Sequence, residues 1–236
     1  MEILLLAIKN IDLLPEGLLE TLYMTLVSAV FAYAVGLPLG VVLAVTGKNG
    51  IAENKAVNAA LGFVVNFFRS VPFLILLVAI IPFTRFIVGG FTGSTAAIVP
   101  LVVAAAPFVA RLVESSLKEV DAGLIEAASA MGASNARIVF RVLIPEAKPS
   151  LIVNAAIAVT TILSYSAMAG FCAGGGLGDI ALQYGFYQSN GELMWITVFL
   201  LFLIVQIFQT AGTWLAKALD KRIKNRKKSK RKEKSI

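Results

Sequence analysis

Long apolar stretches separated by short polar ones run along the whole chain. An α-helix needs about 20 apolar residues to cross the hydrocarbon core of a bilayer, and several of these stretches reach that length. The pattern predicts membrane-spanning helices over Leu18–Val45, Val57–Ile81, Thr95–Val113, Ser150–Phe171 and Leu193–Leu215. Between the second and third helices, Pro82–Ser94 is rich in glycine and is expected to form a short loop. The predicted fold class is therefore all-α, a polytopic membrane protein with about five transmembrane helices.

Composition agrees with this prediction. Hydrophobic residues make up 58% of the 236 residues and charged residues only 15%, whereas soluble domains carry about a quarter charged residues. The length fits one membrane domain over residues 18–219. An N-terminal extracytoplasmic segment over residues 1–17 and a basic cytoplasmic tail over residues 220–236 would flank it.

The basic residues are concentrated at the C-terminal end. Eleven of the 21 lysines and arginines fall in Lys217–Lys234. Such a run could bind nucleic acid, but it directly follows an apolar stretch, so a solvated tail beside anionic lipid headgroups is the simpler interpretation. We expect the lipid bilayer, and no nucleic acid, as its surroundings.

The same residues predict the orientation of the chain. Cytoplasmic segments of membrane proteins are enriched in lysine and arginine, which places the tail in the cytoplasm and, with five helices, the N-terminus outside. The segment Cys172–Glu192 contains no lysine or arginine and is expected to lie outside. The protein is predicted to be a multi-pass membrane protein.

Several kinds of catalytic site are excluded. The sequence contains no histidine, so it has no Ser-His-Asp triad and no histidine metal site. Cys172 is the single cysteine, which removes cysteine clusters. No GxxxxGK[ST] motif is present to cradle ATP phosphates. We expect no catalytic residues, no metal and no cofactor on this chain.

The longest polar interruption, residues 121–149, predicts two short helices joined by a turn. Asp121 is a good N-cap for the first helix, and Gly132 is suited to the left-handed residue that ends it. Ser134 caps the second helix, and Pro145 is expected to stop it. We call this stretch the docking loop, because Ala127 and Ala128 let another surface come close and Glu126 stands beside them.

At these residues the docking loop resembles the EAA loop of bacterial ABC importer permeases. The family pattern is Glu-Ala-Ala, three residues, glycine, nine residues, then Ile-x-Leu-Pro. The sequence shows Glu126-Ala127-Ala128, Gly132 and then Val142-Leu143-Ile144-Pro145, with two conservative aliphatic differences. The resemblance implies contact with a cytoplasmic ATPase. The residues it assigns to this contact are Glu126, Ala127, Ala128, Met131, Gly132, Ala133 and Pro145.

Two features inside the apolar stretches are candidates for a substrate path. Thr161, Ser164, Tyr165 and Met168 share one helical face, which either bonds to a neighbouring helix or lines a path. Arg69 lies within the second predicted helix. In the simpler interpretation, its side chain reaches the membrane interface or pairs with a carboxylate. In the alternative, it faces the substrate path.

Further motifs resemble the permeases of methionine ABC importers over roughly residues 18–219. They are Phe68-Arg69-Ser70-Val71-Pro72-Phe73, Ile80-Ile81-Pro82-Phe83-Thr84-Arg85, Ala105-Ala106-Pro107-Phe108, Tyr165-Ser166-Ala167-Met168 and Gly174-Gly175-Gly176-Leu177-Gly178. The sequence departs from that family at Ala169–Cys172 and in the basic tail.

The resemblance implies a location in the bacterial inner membrane, an assembly and a mechanism. The assembly is a permease homodimer with two ABC ATPase subunits, which bind ATP and magnesium, and an extracytoplasmic substrate-binding lipoprotein. Methionine, as the D- or L-form or both, would cross by alternating access. Tyr165, Ser166 and Met168 would belong to the path or its gate.

Three alternatives stay open at this point: an ABC permease for another small amino acid or peptide, an ion-coupled secondary transporter, and a membrane scaffold that recruits a partner. Secondary transporters often carry buried carboxylates or histidines. The predicted membrane spans offer none, because Glu114 and Glu126 are placed at or beyond the end of a span.

Overall fold

The computed structural model describes residues 12–219, and these residues form α-helices with short π- and 3₁₀-helical turns and no strand. The predicted segment over residues 1–17 is described only from residue 12 onward, and the tail over residues 220–236 lies outside the described residues. Four helical stretches are long and apolar enough to cross a membrane. They are Leu14–Thr46 (α1), Ser94–Lys118 (α5), Asn135–Cys172, which contains Ile144–Ala169 (α8), and Gly191–Leu219 (α10).

The second predicted span is a broken pair of helices instead of one straight helix. Lys55–Ser70 (α2) and Phe73–Ala79 (α3) meet at a bend of 100°. The break falls at Val71, which Pro72 pushes into an extended conformation. Counting this pair as one span gives five membrane crossings, and Phe73 is thereby turned into the protein interior.

The glycine-rich stretch after this pair is mostly helical, so the predicted loop over Pro82–Ser94 was wrong in extent. Ile81–Val88 forms a helix (α4) with proline in its first turn, where a missing N–H costs nothing. Gly89 ends it with a φ of 82°. The connection to α5 therefore shrinks to residues 89–93.

Helices α1 and α5 form the centre of the molecule and approach each other through small residues. A Cβ atom on Gly36 would lie 2.7 Å from the carbonyl oxygen of Ala106, and one on Gly40 would lie 2.5 Å from that of Ala110. Close approach of backbones is how helices gain packing energy in a membrane, where the hydrophobic effect between them is weak.

The docking loop contains two short helices, Ala122–Ala130 (α6) and Asn135–Ile138 (α7). The second one does not stop at Pro145, contrary to the prediction. It continues through a π-helical turn, Val139–Leu143, directly into α8. Pro145 lies in the first turn of α8, where its missing N–H is tolerated because the π-helical turn has already changed the hydrogen-bond ladder.

After α8 the chain folds back in a glycine-rich segment, residues 170–186. It comprises a 3₁₀ turn, Gly170–Cys172, a short helix, Gly176–Ile180 (α9), and a π-helical stretch, Ala181–Phe186. Leu177 and Ile180 pack with Leu14 and Leu163 in an apolar cluster shared by α1 and α8. The segment therefore sits against both helices before α10 begins.

Candidate functional site

The predicted caps of the docking loop are confirmed. Asp121 Oδ1 accepts a hydrogen bond from the Gly123 N–H at 2.7 Å, and Ser134 Oγ accepts one from the Arg137 N–H at 3.4 Å. Gly132 has a φ of 76°, the left-handed conformation that glycine adopts without strain. Two short helices with a sharp turn between them are therefore fixed by three local features.

One side of the docking loop is exposed and the other is anchored. Glu126, Ala127 and Gly132 are exposed, and the Met131 side chain is 82% exposed. Ala128 is buried, so it does not share the approach surface that the sequence assigned to it together with Ala127. Ala128 belongs to an apolar cluster that includes Ile138, Val139 and Leu143, with Ala133 packed against it.

The predicted polar face of α8 is partly open. Ser164 and Met168 are exposed, while Thr161 and Tyr165 are half-buried. Thr161 Oγ1 donates to the Ile157 carbonyl at 2.8 Å, and Ser164 Oγ donates to the Thr160 carbonyl at 3.1 Å. These two hydroxyl groups are thus bonded within their own helix, and within the described chain they hold no neighbouring helix.

Tyr165 and Ser166 occupy different surroundings from Met168. The Tyr165 ring stacks on Phe73 with centroids 4.7 Å apart, which connects α8 to the bend between α2 and α3. Ser166 is buried and donates to the Leu163 carbonyl at 2.8 Å. Ser166 therefore presents no free surface in this conformation, and its place in a path stays a prediction.

A cavity of about 710 Å³ opens at the docking-loop end of α8, between α5 and α10. Its polar wall is a hydrogen-bonded group in which Asn154 Nδ2 donates to Ser116 Oγ at 2.7 Å and Ser150 Oγ lies 3.1 Å from the same atom. Ser150 and Asn154 precede Thr161 by eleven and seven residues, so helical periodicity places them on the same face of α8. The sequence signal for this group was a lone asparagine within an apolar stretch.

An ion cluster around the buried carboxylate of Glu114 connects α2 to α5. Glu114 is 6% exposed and pairs with Arg111 at 2.5 Å and with Lys118 at 2.6 Å. Arg111 also donates to Asn66 Oδ1 at 2.9 Å across the two helices. The predicted pairing of Arg111 with Glu114 is confirmed. Glu114 lies in α5 one turn before its end, because the helix continues beyond the predicted Val113 to Lys118.

Arg69 lies in the last turn of α2 and is exposed. Within residues 12–219, Arg69 forms no ion pair with a carboxylate. The predicted pairing of Arg69 with a carboxylate is therefore not found among the described residues. Its exposed guanidinium group is available to solvent, lipid headgroups or a ligand.

Two side chains that the sequence analysis passed over hold the glycine-rich segment against α1. Glu20 Oε2 accepts a hydrogen bond from the Gly176 N–H at 2.7 Å, and Thr21 Oγ1 accepts one from the Leu177 N–H at 2.8 Å. Burial raises the pKa of the nearby Asp179 carboxyl group and the charge of Glu20 raises it further, while a hydrogen bond with Gln183 opposes the shift. In the sequence, the indication of this contact was a glutamate and a threonine inside the first apolar helix.

Comparisons with known proteins agree on one family. A family model described as "Binding-protein-dependent transport system inner membrane component" matches residues 36–225. The chain is 52% identical over 213 residues to the "Probable D-methionine transport system permease protein MetI" of Vibrio cholerae, covering 90% of this chain and 95% of that one. It is 44% identical over 215 residues to the "Methionine import system permease protein MetP" of Bacillus subtilis, covering 90% and 97%.

Two solved structures share the fold. A chain in the structure titled "Inward facing conformations of the MetNI methionine ABC transporter" superposes with a TM-score of 0.89 at 47% identity, over 90% of this chain and 99% of that chain. A chain from the "Crystal structure of an amino acid ABC transporter with histidines" superposes with a TM-score of 0.75 over 89% and 96%. At 19% identity this second likeness shows the fold alone.

Proposed function

The chain belongs to the family of binding-protein-dependent transport system inner membrane components, and from this premise we propose that it is the permease subunit of an ATP-driven methionine importer. One observation supports methionine as the substrate. The chain is 52% and 44% identical to permeases named for methionine from two distant bacteria, over nearly the whole length of each. The chain would move D-methionine, L-methionine or both by alternating access.

The proposed assembly follows from the same relatives. Two copies of the chain would form the permease, two cytoplasmic ABC ATPase subunits would bind ATP and magnesium, and an extracytoplasmic lipoprotein would deliver the substrate. Residues 18–219 would form the transmembrane domain, with residues 1–17 outside and the basic tail over residues 220–236 in the cytoplasm. The lysines and arginines of the docking loop and the tail support this orientation.

The docking loop would transmit the movement of the ATPase. The side facing the ATPase would consist of Glu126, Ala127, Met131 and Gly132, which are exposed in the isolated chain. Ala128, Ala133 and Pro145 would support it from within or from the start of α8. A surface that is exposed on one side and packed on the other can move as a rigid body against its partner.

The substrate path would follow the open face of α8. Thr161, Ser164 and Met168 would line it, with Tyr165 and Ser166 at the gate, and the 710 Å³ cavity beside Ser150 and Asn154 would be its opening at the docking-loop end. The hydroxyl groups bonded within their own helix support this role, because they are not occupied in helix association. Arg69 is a further candidate for the path.

Reconstitution tests the proposed function. The chain would be purified with its ATPase, placed in proteoliposomes with the binding lipoprotein, and assayed for uptake of radiolabelled D- and L-methionine. We expect uptake to require ATP on the ATPase side and to disappear with a hydrolysis-deficient ATPase as the matched control. An excess of another amino acid should leave it unchanged.

Other results would favour the alternatives. Uptake driven by an ion gradient without ATP would identify a secondary transporter. An ATPase complex that moves no amino acid would identify a scaffold, and ATP-driven uptake of a different amino acid would correct the substrate.

A further inference from the structure

The glycine-rich segment, residues 170–186, is bound to α1 through its own backbone. Gly175 and Gly176 have φ values of 77° and 78°, in the region that glycine favours. The N–H groups of Gly176 and of Leu177, which is fully buried, donate to Glu20 and Thr21 on α1. A backbone donor kept from water needs a protein acceptor, and α1 supplies one to each of these two groups.

The contact leaves no space for a larger side chain on the segment. A Cβ atom on Gly175 would lie 2.7 Å from Glu20 Oε2, and one on Gly176 would lie 2.7 Å from Thr21 Oγ1. Thr21 also donates its hydroxyl hydrogen to the Gly17 carbonyl at 2.7 Å, which orients its oxygen toward Leu177. The two acceptors on α1 and the glycines facing them therefore form one fitted contact.

The opposite side of the segment rests on the last turns of α8. A Cβ atom on Gly178 would collide with the Ala167 carbonyl of α8, and one on Gly170, the residue that caps the end of α8, would lie 2.5 Å from the Asp179 nitrogen within the segment. Ala167 directly precedes Met168. The position of this end of α8 is consequently coupled to α1 through the glycine-rich segment.

We propose that Glu20 is a positioning residue for transport, whose hydrogen bond to Gly176 seats the glycine-rich segment on α1 and thereby fixes the end of α8 that carries Tyr165 and Met168. The carboxylate suits this task, because a charged acceptor makes a stronger bond to an N–H than a neutral one. Its part in uptake rests on the proposed function, whereas its part in seating the segment does not.

Cys172 offers a reporter for the seating of the segment. It is the single cysteine of the sequence, it is half-buried, and it packs beside the cluster of Met24 and Phe73. If the segment leaves α1, this thiol becomes more accessible. The rate at which a membrane-impermeant maleimide modifies Cys172, measured by mass spectrometry of the permease, therefore reports seating in the whole transporter.

The experiment compares four variants of the permease within its complex with the ATPase and the binding protein. Glu20→Ala removes the acceptor, Glu20→Gln keeps an oxygen that can accept, and Thr21→Val removes the neighbouring acceptor at nearly constant shape. Glu16→Ala is the matched control, because Glu16 is an exposed carboxylate one turn earlier on α1.

We expect Glu20→Ala to speed Cys172 modification about tenfold or more, the factor that corresponds to losing a hydrogen bond to a charged group. It should also lower the maximal rate of uptake more than it changes KM, because positioning and not substrate binding is lost. Thr21→Val should act in the same direction. Glu20→Gln should stay within about threefold of the parent in both measurements, since its amide oxygen replaces the acceptor.

Unchanged modification and uptake in Glu20→Ala would overturn the proposal, and so would a Glu20→Gln variant as impaired as Glu20→Ala. If Glu20→Ala does not reach the membrane, the modification rate of Thr21→Val decides instead. A parent complex that takes up no methionine would refute the proposed function alone, because Cys172 modification needs no substrate.

Discussion

Two carboxylates within the long apolar helices, Glu20 and Glu114, are each held by hydrogen-bonded partners. Glu114 pairs with Arg111 and Lys118 on its own helix, and Glu20 accepts from the Gly176 backbone. A charge in such surroundings is costly unless it is paired. These carboxylates are occupied in holding helices and segments together, which argues against a role in ion coupling and therefore against a secondary transporter.

Removing Glu114 should destabilise the protein through its two cationic partners. Glu114→Ala leaves Arg111 and Lys118 without their shared carboxylate, and because both cations are partly exposed we expect a loss of about 1–3 kcal/mol. Lys118→Ala is the control, since the Lys118 side chain is 53% exposed and its removal should cost about 1 kcal/mol or less. Thermal unfolding in detergent measures both, and equal losses would contradict the central role of Glu114.

Asp179 should make stability depend on pH in a defined direction. Its pKa is raised in the folded protein, so the charged form is disfavoured there. The resulting cost is complete above the raised pKa and disappears as the pH falls through it toward the ordinary value of an aspartate. Asp179→Asn should therefore unfold at a higher temperature than the parent at pH 7, by about 1–3 °C, and at the same temperature near pH 3. An equal difference at both pH values would contradict this titration.

At the scale of the helices, apolar length predicted most of the fold but not its breaks. The long spans were predictable because only a helix satisfies its backbone over 20 apolar residues. The effect of two prolines was predicted wrongly. Pro72 breaks a stretch that was predicted to be one helix, whereas Pro145, predicted to end a helix, lies in the first turn of α8. Whether a proline ends a helix depends on the tertiary surroundings of the preceding turn, which sequence spacing does not contain.

The candidate site also contains some features that were predictable from the sequence and others that were not. The caps and turn of the docking loop are local features, and all three were predictable from residue types. The bond between Glu20 and Gly176 joins residues 156 positions apart, and no local pattern pairs them. The burial of Ala128 likewise depends on packing against residues of later turns.

The turn between α6 and α7 gives a prediction for coupling. A Cβ atom at Gly132 would meet nothing within 4 Å, so only the positive φ opposes substitution there. Gly132→Val should cost about 1–3 kcal/mol locally, whereas Gly132→Asn should cost less, because asparagine tolerates this conformation. We expect the valine variant to insert normally but to lose ATPase association or ATP-driven uptake. If the valine variant retains its ATPase and takes up substrate at the rate of the parent protein, the docking loop does not couple the ATPase to transport.

At the scale of the whole molecule, the docking loop and the open face of α8 belong to one continuous helical stretch. Asn135–Cys172 runs for 38 residues from the second docking helix to the glycine-rich segment. If a partner displaces the loop, the continuous helical stretch, including its π-helical turn, would transmit the movement along α8. The 710 Å³ cavity at one end and the contact with Glu20 at the other mark the two ends of this stretch.

This continuity predicts that the accessibility of the α8 face changes with the nucleotide state. Single cysteines at Thr161 and Met168, in a Cys172→Ala background, should react with an aqueous thiol reagent at rates that differ between the nucleotide-free complex and a complex trapped with ATP. A cysteine at Leu163, which is 2% exposed and lies on the opposite face of α8, is the matched control and should stay unreactive in both states. Met168→Ala should change the uptake rate or the substrate range without preventing assembly, because Met168 is 42% exposed and belongs to none of the apolar clusters found among the described residues. If neither Thr161 nor Met168 positions react in any nucleotide state, this face is packed against another part of the assembly and the substrate takes a different route.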